Sequence, residues 1–336
     1  MIKNIISWDL GATKCAAAIV EYNEMTQSFH CKKQFSIRLK YCSSLEELTH
    51  KIEEALEINM LDADAICIGA AGNYDGEELH HALGYPYPMQ FAHLAKTQKW
   101  PPFVVIHDYS TIVCATFTSY MEQQHSVKRL NACAINPHGR RVALGVGTGL
   151  GLKDGILFPD GNFWLGVNEV GHMGVSTPPA TELHYYRRHE ELIKFLHGQK
   201  SLKSNEPLTF ETILSGRGAV SLYRFLHPES VGLTPEDIGT KMKLGQANET
   251  LAMLAWYLGL FVGNIQLAFM PDGGVWITGG VILKNMDIFN HPEFFHGIEA
   301  SPAYLDKRKE FPLGVLCNPE HAFMGGAYYA VKRLLA

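Results

Sequence analysis

Apolar positions recur along the first third of the chain with two different periods. Ile2–Trp8 is a short apolar run, Gly11-Ala12-Thr13-Lys14 is a turn, and Ala16–Tyr22 is a second run. That pattern predicts two strands joined by a tight, glycine-containing hairpin. Gln34–Leu39 is a third predicted strand. Ser43–Met60 switches to helical spacing: Leu45, Leu48, Ile52 and Leu56 share a face, and Ser44 and Glu47 stand at capping-box distance. Ala65–Gly69 and Phe103–Ile106 read as short buried strands, and Thr111–Tyr120 as a helix. The predicted order is β-β-β-α-β, a loop, then β-α.

A second unit is predicted from about Asn131. Val142–Val146 is a strand followed by the glycine-rich Gly147–Gly151, Gly216–Leu226 and Glu249–Met270 are helices, and Val275–Thr278 is a strand ending at Gly279-Gly280. Gly325–Leu335 is predicted as a final helix, and the polar stretch Gly198–Pro207 as a surface loop. An apolar strand followed by a Gly-Thr turn occurs twice, at Trp8–Lys14 and Leu144–Leu150, as a duplicated fold would produce. Leu251–Met270 runs for 20 residues without a charge, long enough to span a bilayer. Asn264, Gln266, two glycines and the lack of flanking Lys or Arg favour a helix buried inside a domain instead.

Composition narrows the class. The 336 residues favour about two domains. Hydrophobic residues at 46% and charged residues at 19% exclude a disordered or fibrous chain. A net charge of −5, with no basic block, excludes a sequence-independent grip on nucleic acid. Cys15, Cys31, Cys42, Cys67, Cys114, Cys133 and Cys317 are odd in number and lack a C-x-x-C pair, so they read as reduced thiols of a cytoplasmic protein. Met1–Trp8 is too short for a secretory signal.

Six segments can carry chemistry. Asp9–Lys14 puts a carboxylate at a strand end before a turn that can aim backbone N–H groups and the Thr13 hydroxyl at phosphate oxygens; an ordinary hairpin gives the same pattern. Gly145–Gly151 follows a strand with four glycines in seven residues, which lets backbone approach a ligand, and it fits neither the Walker nor the Rossmann spacing. Asp108 follows a buried strand, where a carboxylate serves either as general base or as the cap of the next helix. Glu169 and His172 lie in a glycine-containing loop suited to polyhydroxyl binding. Glu211 to Gly218 and Thr278 to Val281 are consistent with loops near a nucleotide.

Taken in order, these segments resemble the bacterial glucokinase family, within the hexokinase, sugar-kinase, heat-shock chaperone and actin superfamily. The family's D-x-G-G-T-N loop corresponds to Asp9–Lys14, G-x-G-T-G-L-G to Gly145–Gly151, I-N-D to Ile106-His107-Asp108, and E-G-G-H to Glu169–His172. Its E-x-x-L-S-G segment corresponds to Glu211–Gly216, and A-G-G to Thr278-Gly279-Gly280. The resemblance implies an α/β, two-domain, actin-like (ribonuclease H-like) ATPase fold with a deep interdomain cleft that closes on sugar and nucleotide. It implies a small domain over 1–116, completed by the helix 319–336, and a large domain over 117–318.

The implied activity is ATP-dependent phosphorylation of glucose at the 6-hydroxyl to give glucose 6-phosphate. Asp108 would be the base. His107, Glu169, His172 and Glu211 would hold the sugar. Asp9, Gly11, Ala12, Thr13, Lys14, Gly147, Thr148, Gly149, Gly279 and Gly280 would meet ATP, with Asp9 beside Mg2+. A cytoplasmic homodimer with no nucleic-acid or membrane partner is the further implication. The chain departs from the family pattern at Ala12 for glycine, Lys14 for asparagine, His107 for asparagine and Arg217 for proline. His107 admits another hexose, such as mannose or an N-acetylated amino sugar, and a weakly catalytic sugar sensor is a third reading. The cysteine-rich zinc motif of repressor-type sugar kinases is absent.

Overall fold

The opening hairpin forms where the spacing predicts it: Ile2–Leu10 and Lys14–Asn23 pair antiparallel, with Leu10 opposite Cys15. This is a computed structural model that describes every residue except 82, 83, 179, 181, 204 and 336. The chain divides into two units, one of Met1–Lys128, Leu157–Leu165 and the segment from Leu316 onward, the other of Arg129–Ile156 and Gly166–Val315. The first unit thus runs beyond residue 116 and takes in Leu157–Leu165, a segment the sequence does not mark. Arg333 ties that segment to the C-terminal helix, lying over the Phe163 ring and donating to its carbonyl at 3.0 Å.

In the first unit five strands form one sheet in the order Ser28–Arg38, Lys14–Asn23, Ile2–Leu10, Ala65–Ala70, Phe103–His107. The last three run parallel, with Asp9 level with Gly69 and Gly69 level with Ile106. On one face Ile6, Trp8 and Leu10 pack with Leu45, Leu48, Ile52 and Leu56 of the Leu45–Leu56 helix. Burying each such side chain contributes about 1.5–3 kcal/mol. The helix starts as its cap predicts, Ser44 accepting from Glu47 N–H at 3.2 Å, while the Glu47 carboxylate bonds back to Ser43 N–H at 2.7 Å.

The opposite face carries the helices Asp108–Ala115 and His321–Leu334. The first begins three residues before the expected Thr111, because the extended backbone of His107 passes straight into it. It stops at Ala115, where the Thr116 and Thr118 hydroxyls take the carbonyls of Val113 and Ala115. The last helix also starts earlier than Gly325. Gly325 and Gly326 sit inside it because it crosses the Asp108–Ala115 helix and the sheet too closely for side chains: a Cβ on Gly325 would lie 1.7 Å from the Thr111 carbonyl oxygen.

The second unit repeats the plan. Arg141–Val146 and Leu150–Leu157 form an antiparallel hairpin, and Gly274–Thr278 and Leu313–Leu316 extend it in parallel, with Thr278 level with Gly145. The charge-free stretch is the helix Asn248–Phe269, long and apolar enough to cross a membrane, with 78% of its most apolar window buried inside the protein. It packs along the helix Pro292–Glu299, which the sequence does not signal. Its apolar residues therefore serve the core.

Gly325→Ala is expected to destabilise the protein by about 1–3 kcal/mol, since a backbone oxygen blocks the new methyl group. Urea denaturation measures this; an unchanged midpoint would show that the two helices can separate freely.

Candidate active site

Three parallel strands deliver the first set of residues. Asp9 ends the Ile2–Leu10 strand and His107 ends Phe103–His107, so Asp9, His107 and Asp108 emerge at one C-terminal edge of the sheet, where α/β proteins build their sites. Asp9 remains solvent-accessible, yet its carboxyl is pushed up to about 6, first by the protein crowded round it and then by the negative charge of Asp108, while Lys14 pulls it down. Gly11 N–H donates to the Lys14 carbonyl at 2.9 Å, closing the turn, and Thr13 and Lys14 are exposed on it.

Asp108 is the first residue of its helix, and the cap position belongs to His107. Tyr109 N–H donates to Asp108 Oδ1 at 2.9 Å, and His107 Nδ1 lies 2.9 Å from the same oxygen. Two bare acceptors would repel at that distance, so the imidazole proton belongs on Nδ1 and points at the carboxylate. The 3.3 Å approach of Tyr109 N–H to Nδ1 is then secondary. His107, expected on the sugar, thus turns one nitrogen to the carboxylate beside it. Their exposures of 30% and 24% leave both within reach of a ligand.

The second unit supplies the other set. Gly147, Thr148 and Gly149 bend between the two hairpin strands, and Thr148 is exposed. Gly147 N–H donates to the Gly149 carbonyl, and Gly147 carbonyl accepts from Gly216 N–H, both at 2.9 Å. Glu211 sits against this bend: its Oε2 accepts from Leu150 N–H at 3.1 Å and occupies the space a Cβ on Gly149 would need. Glu169 and His172 flank the 3₁₀ turn Val170–His172, and both are exposed. Phe210 N–H donates to Met173 carbonyl at 3.2 Å and Val175 N–H to Leu208 carbonyl at 2.7 Å, which binds the Glu169 turn to the Glu211 segment. Glu169, His172, Glu211 and the Gly147–Gly149 bend are therefore neighbours in one unit. Gly279 follows the adjacent strand with φ +103°, a conformation that favours glycine, and Gly280 has open space beside it.

Among the described residues no group of three or more His, Cys, Asp or Glu side chains could hold a metal. Some polar groups near the candidate residues escaped the sequence reading. The orienting N–H of Tyr109 is backbone and leaves no signal. Tyr85, whose hydroxyl donates to the Ala71 carbonyl at the end of the middle strand, is pushed up by burial and then by Asp108, so it stands near that carboxylate. Lys153 and Asp154 are nearly fully buried in the Leu150–Leu157 strand; adjacent charges inside an apolar strand were the available signal.

The Asp9 shift gives a test. Its folded value lies above the unfolded 3.8, so folding favours the protonated form. Ionised Asp9 costs stability in full above about pH 6, and the cost fades as pH falls toward the unfolded value. Asp9→Asn is therefore expected to raise Tm near pH 8, to keep roughly half of that advantage near pH 5 and to lose it below the unfolded value of 3.8. A gain that grows on acidification would contradict the assignment.

Comparison with known proteins bears on the family and the fold. The glucokinase family profile matches residues 6–333. The glucokinase of Sinorhizobium medicae is 27% identical over 299 residues, covering 83% of this chain and 81% of that enzyme. That of Agrobacterium fabrum is 32% identical over a shorter 198 residues, 56% of this chain and 54% of the enzyme. Among solved structures, a glucokinase from an Antarctic psychrotroph superposes with TM-score 0.79 at 17% identity, covering 97% of this chain and 98% of that one. A ROK family glucokinase from Streptomyces griseus, in complex with glucose and AMPPNP, gives TM-score 0.63 at 17% identity, with 99% of each chain covered. The fold is the two-domain, actin-like ATPase fold of these kinases. With the profile spanning almost the whole length, the chain belongs to the glucokinase family.

Proposed function

We propose that this protein is a cytoplasmic glucokinase that transfers the γ-phosphoryl group of ATP to the 6-hydroxyl of glucose. The observation that carries the reading is the oriented carboxylate of Asp108. Its Oδ1 is engaged by Tyr109 N–H and His107 Nδ1, which fixes the plane of the group and leaves Oδ2 to take a proton. In the reaction Asp108 accepts the proton of the sugar 6-hydroxyl as that oxygen bonds to the γ-phosphorus, and the bond from phosphorus to the β-phosphate oxygen breaks to release ADP. His107 orients the base, in addition to any contact with the sugar.

Glu169 and Glu211 accept hydrogen bonds from the remaining ring hydroxyls, and His172 gives or takes one more. Thr13 and Thr148, each exposed on a turn between two strands, donate to phosphate oxygens, as do the N–H groups of Ala12 and Gly149, while the N–H groups of Gly11 and Gly147 close the turns that present them. Lys14 adds a positive charge to the first turn. Gly279 and Gly280 allow the adenosine to pass close to backbone.

The donor set suits Mg2+. Asp9, pushed up by the protein crowded round it and then by the charge of Asp108, would be relieved by a cation, and magnesium takes few carboxylates together with phosphates. Asp9 would hold it, most simply through water; when bound it would neutralise charge developing on the phosphates.

Asp108→Asn is expected to lower kcat by about 10²–10⁴-fold while sugar binding is retained. A coupled assay over a hexose panel, with ATP and a second phosphoryl donor, measures this. Full turnover in the variant would remove Asp108 from the role. A hexose other than glucose with far higher kcat/KM would make that sugar the substrate. Sugar binding without turnover in the unsubstituted protein would favour a sensor.

A further inference from the structure

Beneath the Glu169 turn the second unit buries polar side chains that the chemistry above does not use. Lys153 and Asp154 are consecutive in the Leu150–Leu157 strand and are only 4% and 2% exposed. Consecutive strand residues point to opposite faces, and both of these end on Asn168. Lys153 Nζ donates to the Asn168 carbonyl at 2.9 Å, and Asn168 Nδ2 donates to Asp154 Oδ1 at 3.0 Å. Asp154 Oδ2 in turn lies 3.2 Å from Arg140 Nε. Asn168 is therefore gripped through its backbone and its side chain, one residue before Glu169.

The grip continues to Glu169 itself. Its carboxylate is 66% exposed, and its Oε1 lies 3.7 Å from the buried Lys153 ammonium. An exposed glutamate ordinarily samples several rotamers, and fixing it for a ligand costs entropy. A cation held from below by a carbonyl reduces that cost, because charge already favours the side-chain positions that face it. Burying a lysine is costly unless it is paired, so a structural role alone would be filled as well by an apolar side chain.

We propose that Lys153 is a positioning residue for hexose recognition: anchored on the Asn168 carbonyl, its ammonium holds the Glu169 carboxylate where the ring hydroxyls meet it. The inference rests on the reading of Glu169 as a sugar ligand. It predicts a loss of ground-state sugar affinity with the chemical step spared. Lys153→Met should raise KM for glucose about tenfold, the scale of losing one close charge pair. It should change kcat and KM for ATP less than about twofold.

The decisive experiment is a double-mutant cycle with Glu169→Gln, read as KM for glucose. If Lys153 acts through Glu169, adding Lys153→Met to Glu169→Gln raises KM little further. If the two effects multiply in full, or if Lys153→Met alone leaves KM unchanged, the proposal is overturned. Should Lys153→Met fail to fold, as a thermal melt would show, Lys153→Gln takes its place in the same cycle. Unsubstituted protein that phosphorylates no hexose would sink the kinase reading itself. Normal turnover with a fully multiplicative cycle would sink this inference alone.

Discussion

Two carboxylates, Asp9 and Asp108, are crowded together at one sheet edge of the first unit. Asp9 and Asp108 are brought to the same end by three strands that run parallel, and neither can be moved without changing the register of the sheet. Asp9 is held well above its ordinary range, first by the protein crowded round it and then by the charge of Asp108. Everything near Asp108 compensates: a backbone N–H and an imidazole N–H face one oxygen, and the helix that begins there adds the favourable end of its dipole.

The second unit meets a different constraint. Its glycine bend must present backbone to a ligand, yet a bend without side chains has little to hold it. Neighbouring segments hold it instead: Gly216 N–H takes the Gly147 carbonyl, and Glu211 takes Leu150 N–H. Glu211, proposed above as a sugar ligand, is thus also a brace of the glycine bend. A change at either is felt at the other, and Gly149 has no room for a methyl group because that carboxylate fills the space.

Charge buried for precision recurs below the sugar turn. Asn168 links Lys153 to Asp154 through two hydrogen bonds, and Arg140 lies 3.2 Å from Asp154 as an ion pair, which offsets part of the cost of taking ions out of water. A core of apolar residues would stabilise the strand equally well, but it would not fix the direction in which the chain leaves at residue 168. Rigid support beneath an exposed carboxylate is what a recognition site needs.

Local pattern alone determined both strands of the first hairpin, the first strand of the second, the capped Leu45–Leu56 helix and the two Gly-Thr turns, because period, caps and turn residues act over a few positions. The candidate residues were legible too, since a carboxylate or a glycine cluster at a strand end stands out against apolar neighbours. Tertiary structure decided what local pattern cannot encode. Gly325 and Gly326 look like a helix start and are instead a helix crossing, a distinction made by the Thr111 carbonyl far away in sequence. The partnership of His107 with Asp108, the brace from Glu211 to Leu150 and the hold of Lys153 beneath Glu169 likewise depend on which atoms packing brings within about 3–4 Å. Hydrogen bonds and charge pairs are short-ranged, so their partners exist only once the chain has folded.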